Sequence, residues 1–396
     1  MSKKKQASEE TAGAIVAEAV RIACATGIGG VTARAVAGGI GIAPSAVIYY
    51  FKTIAGLLNA VHGAAGVTLA EWRQGVLRAL EDPAARLLST GALVAATVTA
   101  LTRELGPLVI LQQELRRAAL RGLLPLDEPP AIAIETRAAF WQTLLQHHDT
   151  APDRIAIRRL IAEGLVPFAL LDPVAFRRDA LISAVIARLE DRLTRRAVLM
   201  RVPDPELPEV DQAPSLPQGK RRIIDAAMRI IGREGLANLT HRKVAAEAEV
   251  SLAATTYFYA SKEDLIADAF QEIQRRAVHA VVQARQPRQQ FIASVLLDEK
   301  DEERWEIAAM LALNHAAIRF PRFESLALTL RQVRGIDAMR WLRAQGFADA
   351  DHLDGILWSA ATTPIGEYAL RLPPAERRAY LDEETERVFS ALFGDR

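Results

Sequence analysis

The chain has 396 residues, of which 50% are hydrophobic and 24% charged, with 49 basic and 48 acidic side chains. That length is too great for one compact core and suits two to four domains, and the composition excludes a disordered or fibrous chain. The net charge of +1 separates no function classes, because nucleic-acid binding depends on where charges lie rather than on their sum.

In chain order, Met1-Ser2-Lys3-Lys4-Lys5 has no apolar signal segment behind it, so the cytoplasm is the expected compartment. The three lysines read as a solvated tail or as a basic arm. Residues 11–60 carry apolar side chains at helical spacing, and the lone Cys24 falls on that pattern as a core residue without a disulfide partner. The apolar run from Leu87 to Leu101 is too short to span a bilayer, and no membrane association is expected. Helices are predicted from Ala84, Pro107, Ala131, Pro152 and Pro173, with breaks near Pro125 and Pro129-Pro130. The stretch 201–216 contains Pro203, Pro205, Pro208 and Pro214, lacks helical periodicity and reads as an extended linker. Beyond it, helices are predicted near Lys220, Pro287, Glu302, Pro321, Asp349 and Pro374. The whole pattern is all-α.

Residues 11–60 and 219–268 are one helical unit written twice at a constant offset of 208, with 12 identities in 50 positions. Among them are Gly27/Gly235, Thr32/Thr240, Arg34/Arg242, Val36-Ala37/Val244-Ala245, Tyr49/Tyr257 and Leu57/Leu265. A gapless repeat half a chain apart implies duplication of a module. In the second copy a helix over Lys220 to Glu234 ends at Gly235, and Thr240 is placed to cap a short helix from His241 to Ala248. A tight turn follows at Glu249-Val250, Ser251 caps Leu252–Phe258, and Ser261 caps a fourth helix with Glu263 and Asp264 in its first turn. Two short helices joined by a tight turn and buttressed by a longer one make a helix-turn-helix, whose second helix enters the major groove.

The run Arg222-Ile223-Ile224-Asp225-Ala226-Ala227, then Gly235, Thr240, Val244-Ala245, Val250-Ser251, Tyr257-Phe258-Tyr259 and Ser261-Lys262-Glu263-Asp264-Leu265 resembles the DNA-binding domain of the TetR family. The whole chain resembles two such regulators in tandem. The resemblance implies helix-turn-helix domains over 1–60 and 217–266, helical effector-binding and pairing domains over 61–200 and 267–396, and the linker between. It further implies that the last two helices of each half pair as a four-helix interface: Pro152–Leu171 and Arg177–Met200 with Asp349–Leu372 and Glu376–Phe393. With both halves on one chain, this gives a single-chain pseudo-dimer; a homodimer of such chains is the alternative. Heads spaced ~34–36 Å apart would then meet neighbouring major-groove faces.

Roles follow from position. Thr32, Arg34, Thr240, Arg242 and Lys243 open the first short helices, where amides and basic side chains meet phosphates. Base contact is expected from Pro44, Ser45, Ala46 and Tyr49 in copy one, and from Leu252, Ala253, Thr256 and Tyr257 in copy two. Lys262 matches the lysine with which the family contacts phosphate; copy one has Ile54 there, and Lys52 is the candidate substitute. Ala43 in place of Ser251, and Gly38-Gly39 within a helix, weaken copy one. The unlike reading faces predict an operator with unlike half-sites in double-stranded DNA.

Trp141, Trp305, His315, Trp358 and Tyr368 are the candidates for a pocket holding a small hydrophobic effector. No cofactor is expected. His147-His148 are adjacent rather than four apart, and no metal set is completed. No nucleophile–base pair or phosphate loop points to an enzyme. The sequence therefore predicts a ligand-released transcriptional repressor; a helical interaction or DNA-architectural module without ligand control is the alternative.

Overall fold

The computed structural model describes residues 3–82, 87–120, 122–127, 130–146, 148–149, 151–196, 201–205, 216–283 and 305–394. Among these, the regular structure is helical throughout. The first half of the chain forms α1 (Lys3–Thr26), α2 (Ala33–Ile40), α3 (Pro44–Phe51), α4 (Ile54–Ala79), α5 (Thr90–Leu120), α6 (Pro130–Leu145), α7 (Pro152–Ala169) and α8 (Ala175–Leu193). The second forms α9 (Gln218–Glu234), α10 (His241–Glu247), α11 (Leu252–Phe258), α12 (Lys262–Gln283), α13 (Trp305–Arg319), α14 (Glu324–Ala344), α15 (His352–Ala369) and α16 (Pro374–Phe393). The helix starts expected at Ala84, Pro287 and Glu302 lie outside the described residues.

Each head is built around its own apolar core. In α1 the buried Ile15, Ala19, Ile22 and Ala23 meet Val36 and Ala37 of α2, Val47 of α3 and Leu57 and Val61 of α4. In α9, Ile223, Ala226, Ala227, Ile230 and Ile231 meet Val244 of α10 and Leu265, Ile266 and Ala269 of α12. These stripes recur every three to four residues, so burying one face of each helix closes the unit. Gly27 and Gly235 end their first helices at φ 83° and 86°, a backbone region open to glycine at no steric cost.

Three expectations are corrected. Pro107 does not begin a helix; it lies inside α5, which runs unbroken from Thr90 to Leu120, because packing of the flanking apolar residues outweighs one lost backbone hydrogen bond. The run Leu87 to Leu101, expected to be too short for a bilayer, is continued by α5, which has 31 residues from Thr90 to Leu120. By length and composition α5 could cross a membrane, as could the bent pair α3–α4 taken as one span, yet Leu108, Leu111 and Leu115 of α5 are buried in the first core. Thirdly, the start of the linker is not free: the Val202 amide donates to Asp351 Oδ2 (3.0 Å), and Arg343 holds Asp204 in a two-bond fork (2.7 and 2.8 Å).

The compact units do not divide at 201–216. One unit holds residues 1–90 and 100–155, the other 91–99 and 156–396. The region 61–200 is thus split, because α7 and α8 bury their faces against helices of the second half. Within this second unit, Arg188 and Arg192 of α8 pair with Asp351 and Asp354 at the start of α15. Tyr368 of α15 donates to Glu163 of α7 (2.7 Å), and Trp358 of α15 lies 5.4 Å from Phe389 of α16. Gly164 of α7 sits against α15 so closely that a Cβ there would overlap the Ala360 carbonyl. A second internal match runs through these helices at an offset of 200: residues 168–181 and 368–381 share seven of 14 positions, including Pro173/Pro373, Arg177/Arg377, Arg178/Arg378 and Leu181/Leu381.

Candidate nucleic-acid interface

The two heads hold their short helix pairs by the same backbone devices. Thr32 Oγ1 accepts from Ala35 N (3.1 Å) and Thr240 Oγ1 from Lys243 N (3.2 Å), each capping its helix. The turn is closed by Ile42 N to Ala37 O and by Val250 N to Ala245 O, both 3.0 Å. Its left-handed residue is Gly41 (φ 70°) in the first head and Glu249 (φ 52°) in the second. A side chain is tolerated at Glu249 where it gains a partner: Arg222 donates to its carbonyl and its carboxylate. Ser251 Oγ accepts from Ala254 N (3.1 Å) to start α11, whereas Ala43 gives α3 no side-chain cap and Pro44 fills the first helical position instead.

With Val47 and Thr255 turned into the core, the outer faces of α3 and α11 are left open. Tyr49 is 71% exposed and Tyr257 84%, although both are large aromatic rings. Each is set edge-on against the next ring, Tyr49 on Tyr50 at 5.4 Å and Tyr257 on Phe258 at 5.3 Å. These contacts pre-orient the rings outward without covering them. Beside Tyr257 the exposed side chains are Leu252, Ala253 and Thr256; beside Tyr49 they are Pro44, Ser45 and Ile48, with Ala46 partly covered. Ile48 was absent from the expected set, and the signal for it was available: it is the 208-offset equivalent of Thr256.

The basic residues divide. Arg34 and Arg242 are exposed at the starts of α2 and α10. Lys243 is drawn to Glu234 (2.6 Å) and so carries a partly neutralised charge. Lys52 folds back, donating to the Tyr49 carbonyl (3.0 Å) with its ammonium 5.3 Å from the Tyr49 ring, which puts a positive charge at the edge of the exposed face of α3. Lys262 is half-buried at the start of α12; burial lowers its ammonium pKa, Glu263 opposes that and Arg322 adds to it. In the second head Tyr259 is buried under Lys220 and donates to Asp268 (2.8 Å), so burial and that hydrogen bond raise its phenol pKa.

Trp141 is buried against Phe140 in the first unit. Trp358 is stacked on Trp341 at 5.3 Å and 9° with Phe389 at its edge, so its ring is occupied by core packing. Tyr368 is held by Glu163 and flanked by Arg159 and Arg371. His315 is buried on α13, and the side chain of Trp305 lies outside the described residues. Among the described residues no cluster of three or more metal-ligating side chains occurs.

Such a pair of short helices with an uncovered second helix defines the helix-turn-helix class. Residues 223–269 match the family described as bacterial regulatory proteins, tetR family, and form a TetR-family helix-turn-helix domain. An 83-residue stretch, 20% of this chain, is 34% identical to the HTH-type transcriptional regulator BetI of Agrobacterium fabrum. The chain covers 40% of the length of that relative.

Proposed function

We propose that this protein is a cytoplasmic DNA-binding transcriptional repressor in which two non-identical TetR-type heads on one chain read the two halves of an asymmetric operator. The observation that carries the reading is the pair of equivalent, outward-facing tyrosines, Tyr49 and Tyr257, on short helices set up by matching caps and turns. A ring of that size left in water is poor packing and good recognition: it offers van der Waals contact to thymine methyls and a hydroxyl to phosphate. Neighbours differ between the heads (Pro44, Ser45 and Ile48 against Leu252, Ala253 and Thr256), so the preferred half-sites differ too.

In this reading α7, α8, α15 and α16 are the pairing interface of a single-chain pseudo-dimer. A small hydrophobic effector, held in the apolar helical regions, releases the repressor by favouring a state with altered head geometry. Selection of bound sites from random duplex DNA, followed by footprinting, tests the proposal. The expected result is two neighbouring unlike half-sites, one lost on Tyr49→Ala and the other on Tyr257→Ala. Binding without sequence preference points to an architectural module, and a perfect inverted repeat removes the claim of asymmetry.

A further inference from the structure

The ion-pair network at the start of α15 is nearly dry. Arg188 and its two aspartates are buried. Arg188 donates to Asp351 through both terminal nitrogens (2.6 and 2.8 Å) and to Asp354 Oδ2 (2.7 Å). Arg192 closes the set with two bonds to Asp354, 2.9 and 2.7 Å. Both carboxylates already have a local duty: Asp351 caps α15, accepting from the Leu353 and Asp354 amides, and Asp354 accepts from the Asp351 amide. Burial alone would raise the Asp351 carboxyl; the Arg188 fork and the Val202 amide more than offset it, so the group stays ionised. A buried pair of this kind is a poor source of stability, since an apolar replacement often does as well. What it does well is punish a wrong partner, because either side left alone is an uncompensated buried charge.

The internal repeat says which partners are wrong. At the 200 offset, Arg188 and Arg192 correspond to Val388 and Leu392 of α16, both fully buried and apolar. A second half placed against another second half would set Asp351 and Asp354 opposite valine and leucine. At the same offset Asp351 and Asp354 correspond to Ala151 and Arg154, and the nearby Asp149 is already held by Arg154 (2.7 and 2.8 Å). A first half placed against itself would offer Arg188 and Arg192 no free carboxylate pair.

We propose that Arg188 and Arg192, with Asp351 and Asp354, are the specificity determinants that make each half of this chain pair with an unlike half and reject its own kind. The inference rests on reading the four helices as a pairing interface. It makes the chain a committed heterotypic pair, in which duplicated surfaces have diverged until like no longer fits like.

The test uses full-length chains with exchanged charges. One variant carries Arg188→Glu and Arg192→Glu; the other carries Asp351→Ser, which keeps a capping oxygen, and Asp354→Arg. Within either chain the two halves now present mismatched charges, while between the chains each first half meets a complementary second half. Alone, each variant should lose thermal stability against wild type or fail to accumulate as folded protein. Co-expressed, they should yield a one-to-one complex of twice the mass of the wild-type chain, about 43 kDa, with the thermal midpoint recovered. Variants that separately keep the wild-type mass and midpoint overturn the proposal, as does a mixture that behaves as the sum of its parts. A wild-type protein that is itself of doubled mass, with complementation intact, removes the single-chain reading and leaves the pairing determinants standing.

Discussion

At the scale of single residues, the two heads solve one problem with different letters. Arg21 and Arg229 are equivalent, and each needs a carboxylate. In the first head Glu18 supplies it from α1 (2.6 and 2.7 Å), in space left by Gly39 on α2, where a Cβ would overlap the Glu18 side chain. In the second head, the equivalent of Gly39 is Glu247, which binds Arg229 (2.8 Å) and Arg233 (2.7 Å), and the equivalent of Glu18 is Ala226. The charge has moved across the helix pair while the fold stayed. Tyr49→Ala and Tyr257→Ala are each expected to weaken operator binding about tenfold to a hundredfold, the scale of one good base contact, with helical content unchanged by circular dichroism. Asp337 is a separate case. It is buried on α14, its Oδ1 has no hydrogen-bond partner among the described residues, and burial pushes its pKa up to about 7, against the opposing pull of Arg340. A carboxyl whose folded pKa is raised holds its proton longer when folded. Its penalty is absent below about pH 4 and grows as pH rises toward 7, reaching at most about 4 kcal/mol. Asp337→Asn should therefore raise the denaturation midpoint at pH 8 and leave it nearly unchanged at pH 4.

At the scale of elements, capping separates a well-specified head from a looser one. The second head starts α10 on Thr240 and α11 on Ser251; the first starts α2 on Thr32 but leaves α3 on Ala43, whose extended backbone (φ −73°, ψ 142°) already suits a capping residue. Ala43→Ser is expected to stabilise the first head by about 0.5–1 kcal/mol, seen as slower hydrogen exchange across α3. In the bundle, the close crossing at Gly164 leaves no room for a methyl group against the α15 backbone. Gly164→Ala should force α7 and α15 apart at a cost of about 1–3 kcal/mol, measurable by urea denaturation, while leaving the exposed side chains of α3 and α11 untouched. The element boundaries near Thr32, Gly235, Thr240 and Ser251 were legible because caps and glycines act locally. Pro107 misled for the same reason: a local signal for a break was overridden by burial of the rest of α5.

At the scale of the whole molecule, the compact units cut across the sequence halves. Residues 156–196 lie with the second half, held by the Arg188 network, by the Tyr368–Glu163 bond and by the Asp172 carboxylate, which Arg177 and Arg331 share. A protease site placed between 206 and 215, once cut, should leave the two fragments co-eluting, because covalent continuity is not what holds α7 and α8 to α15 and α16. Separation of the fragments in low-salt buffer without denaturant contradicts this packing.

The sequence by itself determined the duplicated head, its caps, its turn and most of its outward-facing side chains, since these depend on neighbours within a few residues and repeat at a fixed offset. Only the tertiary structure decided that Trp358 stacks on Trp341, that the linker begins pinned to Asp351 and Arg343, and that Arg188 finds its aspartates 163 and 166 residues away. Those outcomes turn on which distant surfaces exclude water together, and no local pattern of side chains carries that information.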